Sequence, residues 1–380
     1  MNRLHIATLA LLGLAVGLFI VAPLPAAPAP EKGQAVDVAI CLDVSGSMGG
    51  LIESAKLKLW DIVNDLGRAK PAPRLRVALY SYGGGGYAAN AGWVHKEIDL
   101  TEDLDAVYQK LNVLRASGSK EYVARVCENA LTQQQWSEEK NALRVIFVCG
   151  NESARQDPTI TLEHVATQGK KQDVVINTIY CGPKKVSGVD TWVAFAKLTG
   201  GQHNNIDHEN ATVVVATPYD KEIAKLSAQL NTTYLAYGKK GKEAAANQAR
   251  QDANAARLKP GVAAARGVTK AGKLYNTAAW DLVDRLERDP KFDISKIPVK
   301  DLPKEMQKMK PKERVAHIKK MLEKRKELRQ QINKLALKQR DFIQKEREKQ
   351  GAQASQAFDE ALRKTLRKQA GSKGIEIPKK

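Results

Sequence analysis

Asp43-Val-Ser45-Gly-Ser47 puts one carboxylate and two hydroxyls within five residues, directly after the apolar run Val36–Leu42. Hard divalent cations of the magnesium type take oxygen ligands and keep positions open for water or an incoming group. The neighbouring glycines allow the tight backbone turn that such a cluster needs. A Ser-rich turn of this kind can also serve only as a helix N-cap, with no metal. The other reactive residue types form no pattern. His95, His164, His203, His208 and His317 show no HExxH spacing, which leaves them surface or packing roles. No Ser/His/Asp or Cys/His arrangement has a local signature, so the chemistry on offer is binding rather than catalysis. Gly83–Gly86 lacks the Lys-Ser/Thr of a phosphate loop and reads as a flexible turn.

The elements that must position the turn follow from periodicity. Val36–Leu42 reads as a first strand, and Leu51–Leu66 carries apolar residues at helical spacing. Strands are expected at Arg76–Tyr80, Trp93–Leu100 (an antiparallel edge), Leu143–Cys149, Val174–Cys181 and His203–Ile206. Helices are expected at Asp103–Leu114, Tyr122–Gln134, Thr159–Gly169, from Asp190, and at Lys221–Gln229. This alternation predicts an α/β fold with a parallel sheet. Cys41, Cys149 and Cys181 lie at or near strand ends and Cys127 on a helix. Buried apolar thiols are one reading; a Cys149–Cys181 bridge in an oxidising compartment is the other.

The Asp43–Ser47 turn, together with Ser47-Met-Gly-Gly-Leu-Ile-Glu-Ser-Ala-Lys56, Leu75-Arg-Val-Ala-Leu-Tyr80 and Val215-Ala-Thr-Pro-Tyr-Asp220, resembles a bacterial, exported branch of the von Willebrand factor type A family. The resemblance covers about residues 36–235 and implies a doubly wound, mostly parallel sheet, Rossmann-like in layout, with its site at the topological switch point. It implies a metal-ion-dependent adhesion site in which Asp43, Ser45 and Ser47 hold Mg2+, or Mn2+ or Ca2+. It further implies a second-loop hydroxyl, best matched by Ser119 with Ser117 nearby, and a third-loop carboxylate. At that third position stands Asn151, which removes one negative charge and predicts weaker metal affinity unless Glu152 or a partner supplies it. The implied partner is a protein ligand that contributes a carboxylate to the ion.

Charge divides the chain. Of the 380 residues, 1–238 hold 23 Lys+Arg against 24 Asp+Glu, whereas 239–380 hold 38 against 18. The formal net charge of +19 therefore belongs to the C-terminal part. Residues 239–270 read as a tether and 271–380 as a basic α-helical domain. That domain contains a small helix at Tyr275–Leu286 and a long one at 312–350 whose apolar stripe is interrupted near Arg325. A second basic helix carries Phe358, Leu362 and Leu366. The face bearing Lys319, Lys320, Lys324, Arg325, Lys326 and Arg329 suits a polyanion, or is simply solvated.

At the other end, residues 1–30 have a charged start, an uncharged apolar run at Ile6–Ala22 and a Pro/Ala stretch. This is the layout of a cleaved secretory signal or a retained inner-membrane anchor. Export to the periplasm or cell envelope argues against nucleic acid as the partner of the basic helices. It favours anionic membrane or an acidic envelope polymer. The sequence thus predicts an exported, non-enzymatic binding protein with an adhesion-type metal site at 36–238. The alternative is a metal-free envelope scaffold that binds through its basic helices.

Overall fold

The computed structural model describes residues 33–183, 186–206, 214–350 and 358–378. The segment expected to be a signal or anchor, and His208, lie outside the described residues. Strands and helices alternate from the start: β1 (Ala35–Asp43), α1 (Gly49–Leu66), β2 (Arg74–Tyr82), β3 (Val94–Thr101), α2 (Leu104–Val113) and α3 (Val123–Gln133). Then come β4 (Leu143–Gly150), α4 (Leu162–Lys171), β5 (Val175–Cys181), α5 (Val189–Leu198), β6 (His203–Ile206) and α6 (Asp220–Asn231). Five helices follow: α7 (Gly241–Leu258), α8 (Pro260–Ala271), α9 (Leu282–Arg288), α10 (Pro311–Gln350) and α11 (Phe358–Ser372). No described helix is long and apolar enough to cross a membrane.

The sheet order is β3-β2-β1-β4-β5-β6. Every neighbouring pair is parallel except β2–β3, so the antiparallel edge expected for the third strand is present. All nine residues of β1 are buried because helices cover both faces of a central strand. The four cysteines are free, buried thiols. Register explains why Cys149 and Cys181 do not bond: Cys149 stands opposite Ile179, so Cys181 lies two residues further along β5. Burial pushes the Cys149 and Cys181 thiols well above their ordinary values.

The helical region is not tethered to the sheet; it is packed on it. Residues 239–270, expected as a helical tether or solvated linker, form the helices α7 and α8, and both contribute to the core. One continuous apolar core joins Val38, Leu59 and Trp60 to Val262 and Ala265 of α8 and to Leu362 and Leu366 of α11. Composition hid this, because α7 buries amides rather than aliphatic chains: Asn247, Gln248 and Gln251 are all inside. Arg266 of α8, 1% exposed, bonds Asp105 Oδ1 of α2 at 2.6 Å and Asp252 Oδ1 of α7 at 2.5 Å. Its guanidinium also lies 4.8 Å from the Trp60 ring centre. Lys270 Nζ, fully buried, bonds Asp252 Oδ2 and Asn231 Oδ1, each at 2.7 Å. Asn177 of β5 and Gln369 of α11 exchange two amide hydrogen bonds of 3.0 and 2.7 Å.

Arg325 corrects the reading of α10. It interrupts the apolar stripe while being buried itself, and cannot face a polyanion, because it is 0% exposed. Its Nη1 donates to Asp281 Oδ2 at 2.6 Å, its Nε to Thr233 Oγ1 at 3.0 Å and its Nη2 to the Thr233 carbonyl at 2.8 Å. The guanidinium stands 4.2 Å from the Tyr234 ring centre. Arg329 also turns inward, pairing with Glu287 at 2.6 Å. Lys319, Lys320, Lys324 and Lys326 stay exposed.

Removing one partner of a buried pair leaves an uncompensated charge, which costs about 3–5 kcal/mol. Arg325→Ala should therefore lower the unfolding free energy by roughly that much in denaturant titration. Lys270→Met tests the second network. Burial lowers the Lys270 ammonium to about 8, so the unfolded chain binds more protons between that value and the ordinary lysine range. Stability carried by this group rises as pH rises from about 8. Lys270→Met should flatten that rise.

Candidate metal centre

The strand order reverses beside β1: the chain moves outward through β2 and β3, then returns to β4 on the other side. A crevice opens at the carboxyl ends of the strands where such a reversal occurs. Asp43 is the last residue of β1, and three loops meet around it. The first runs from Asp43 into α1. Ser45 N–H donates to Asp43 Oδ1 at 2.7 Å, an Asx-type turn that fixes the carboxylate inside its own loop.

The second loop, between α2 and α3, docks on the first through its backbone. Ser117 N–H donates to the Val44 carbonyl at 2.7 Å, and Gly46 N–H to the Gly118 carbonyl at 3.0 Å. Gly118 has φ +86, and a Cβ there would lie 2.3 Å from Gly85 N. Only glycine allows the second loop to close this far on the turn at Gly83–Gly85 that follows β2.

The third loop leaves β4 at Gly150 and is tied down at several points. Trp192 Nε1 donates to the Glu152 carbonyl at 2.6 Å, and Ala154 N–H to Thr191 Oγ1 at 3.0 Å. Arg125 of α3 grips Asp157 with two bonds of 2.9 and 3.0 Å.

The structure brings four of the five sequence-predicted residues together. Asp43 and Ser45 are buried at 0% and 1% exposure, and Ser47 stands at the mouth. Asn151 Nδ2 donates to Ser47 Oγ at 2.9 Å, so the third loop reaches the first. Ser119 is exposed on the second loop. The side chain that the second loop turns inward is Glu121, only 4% exposed and in contact with Asp43 and Ser45. Sequence reasoning passed over it while seeking a hydroxyl at Ser119. The available signal was a lone acid two positions beyond that serine, immediately before the apolar face of α3. Among the described histidines, His203 bonds Thr178 Oγ1 and Asn205 Oδ1 at the edge strand.

The donor set fits a hard cation. Asp43 Oδ2, Ser45 Oγ and Asn151 Oδ1 are all buried oxygens with no hydrogen-bond partner. Buried polar atoms are normally satisfied, and an oxygen left open commonly marks an ion or water. Space is also reserved: a Cβ on Gly150 would come within 3.1 Å of Asp43 Oδ2 and 2.5 Å of Tyr82 Oη. Burial, reinforced by the charge of Glu121, pushes the Asp43 carboxyl well above the usual carboxylate range. Burial also raises Glu121. Among the described residues no group of three or more His, Cys, Asp or Glu side chains could hold a metal. The cluster therefore combines a carboxylate pair with hydroxyl and amide oxygens, which are ligands for Mg2+, Mn2+ or Ca2+ rather than for a soft metal.

The family model for the von Willebrand factor type A domain matches residues 37–212. That span begins in β1, ends beyond β6, and contains all three loops. Residues 37–212 form a von Willebrand factor type A domain. Similar solved structures include proximal thread matrix protein 1 from the mussel byssus with a zinc-occupied MIDAS motif. It is 16% identical with a TM-score of 0.37, over 47% of this chain and 43% of that one. A von Willebrand factor type A protein from Catenulispora acidiphila is 13% identical with a TM-score of 0.35, over 47% of this chain and 40% of that one. The SpRpn10 VWA domain is 17% identical with a TM-score of 0.34, and 48% of this chain spans 100% of it. This chain thus covers less than half the length of the first two. Comparison with curated proteins finds no match.

Two like carboxyls held in one buried site disfavour their own ionisation. With both groups raised, the folded chain binds more protons than the unfolded one above the ordinary carboxylate range, so their contribution to stability falls as pH rises. In EDTA, Glu121→Gln should therefore raise the melting temperature at pH 7 and reduce its fall between pH 5 and 7.

Proposed function

We propose that the type A domain binds a divalent cation, Mg2+ in the first instance with Mn2+ or Ca2+ as equivalents, through Asp43, Ser45, Ser47, Asn151 and Glu121. The observation that carries this reading is the set of three buried, partnerless oxygens on Asp43, Ser45 and Asn151. A bound cation would supply a Lewis-acidic position at the cleft mouth that accepts an external carboxylate. Asp43 and Glu121 would provide the negative charge that the amide at Asn151 lacks. Ser47, exposed and fixed by Asn151, would orient the open side.

In this reading the protein is an exported binding protein rather than an enzyme, and its ligand is a protein that presents an acidic side chain. The zinc-occupied motif of the mussel protein supports the capacity of such a turn for a divalent ion. A secondary contact with anionic membrane or envelope polymer is proposed for Lys319 and Lys320. Both stay exposed on α10, whereas Arg325 and Arg329 are consumed by internal pairs.

Thermal unfolding of the full chain with and without Mg2+ or Mn2+ tests the metal. A ligand that binds only the native state stabilises it by about 2.7 kcal/mol at a hundredfold excess over Kd, so the melting temperature should rise. Asp43→Ala should abolish the rise, and Glu121→Gln should weaken it more than Ser119→Ala. Asn151→Asp should tighten binding by restoring a full charge. A chain insensitive to millimolar metal would leave only the scaffold reading.

A further inference from the structure

The C-terminal half of α1 points away from the metal centre and, with α8, α10 and α11, encloses a cavity of about 880 Å3. That volume lies within the 300–1,000 Å3 typical of small-molecule sites. Its walls are of two kinds. Val268, Leu274, Leu337 and Ile343 make one part apolar, and Leu337 is 54% exposed at the rim. The other part is cationic: seven Lys and Arg side chains line the cavity against four Asp and Glu.

The charge is concentrated around Asp65. Arg68 and Arg367 both donate through Nη2 to the same oxygen, Asp65 Oδ1. The Nε of each is buried without an acceptor. Arg340, half-buried, lines the same cavity close enough to Arg68 for the two charges to oppose each other. Asp61, Asp341 and Glu348 are the other acids in the lining. A single carboxylate oxygen therefore serves two guanidiniums, with the Pro378 carbonyl as a second acceptor for Arg68 Nη2 at 2.9 Å and a third guanidinium beside them. Guanidinium donors removed from water normally find a carboxylate or phosphate, because each missing acceptor carries a desolvation penalty.

We propose that this cavity binds a single-chain amphiphile with an anionic head, either a phosphate monoester or a carboxylate. The head sits on Arg68, Arg340 and Arg367, and the chain lies against Val268, Leu274, Leu337 and Ile343. Oxygens of the head supply acceptors that Asp65 alone does not, and the chain excludes water from the apolar wall. The site is independent of the metal centre, so chelator should leave it unchanged.

Isothermal titration of the full chain in EDTA tests the proposal with four probes below their micelle concentrations: dodecyl phosphate, dodecanoate, inorganic phosphate and dodecyltrimethylammonium. Dodecyl phosphate and dodecanoate should bind with one-to-one stoichiometry. Inorganic phosphate should bind at least about tenfold more weakly, a difference of about 1.4 kcal/mol, and the cationic amphiphile should not bind. Arg340→Gln should weaken dodecyl phosphate about tenfold. Leu337→Glu, an exposed substitution that spares the ion pairs, should do the same if Arg340→Gln does not fold. Equal affinity for the cationic amphiphile, or for inorganic phosphate and dodecyl phosphate, would overturn the proposal. So would undiminished binding by the folded variants, or no binding at all.

Discussion

The structure turns on the position of β1. It is the one strand from which the chain builds outward in both directions, pairing in parallel with β2 on one side and β4 on the other. Both neighbours deliver their following loops to the same end of the sheet. The crossover helices separate there, and the last residue of β1, Asp43, is left in a crevice with no side chain of its own layer to cover it. The loop from α2 reaches it through backbone bonds to Val44 and Gly46, and the loop from β4 through the Asn151 side chain on Ser47. The absence of a side chain at Gly118 lets the first of these seat against the turn at Gly83–Gly85, and its absence at Gly150 lets the second lie close to Asp43 and Tyr82. The chemistry of the site is a consequence of this crowding. Oxygens of Asp43, Ser45 and Asn151 are buried without partners because the loops are held by their own backbone bonds and cannot relax to satisfy them.

A second constraint is the treatment of charge in the helical region. Arg266, Lys270 and Arg325 are all withdrawn from solvent, an expensive arrangement unless each finds acids in fixed positions. Arg266 joins α8 to α2 and α7 in one network, and Arg325 joins α10 to the turn before α9 and the end of α6. Such pairs contribute less to net stability than to geometry, since an alternative packing would leave a bare charge inside. They make the helices a fixed flank of the type A domain. The cavity at the foot of α1 exists because α10 and α11 are held at that flank. There the same chemistry is left incomplete, with Arg68 and Arg367 sharing one oxygen of Asp65.

Much of this was legible in the sequence. The alternation of β-branched runs with amphipathic segments determined the parallel sheet, because side chains buried on both faces leave a continuous apolar record in the strands. The Asp43–Ser47 turn was legible for a different reason: its ligands are consecutive, so local spacing alone sets their chemistry. Asn151 was reached only through the family resemblance, as the third-loop position after β4.

What lay beyond the sequence was everything decided by contact across long separations. Glu121 and Ser119 differ by two positions on one loop, and only the backbone bonds to Val44 and Gly46 decide which of them turns inward. Arg325 looked like one more charge on a basic helix, because a buried guanidinium and a solvated one are the same letter. Its role depends on Asp281 and Thr233, which no periodicity connects to it. Residues 239–270 looked like a tether because α7 packs through amides and α8 through alanines and an arginine. Apolar patterning reports burial only when burial is apolar. Sequence determined the local elements and the ligands that are neighbours in the chain; tertiary structure alone decided which distant charges would meet.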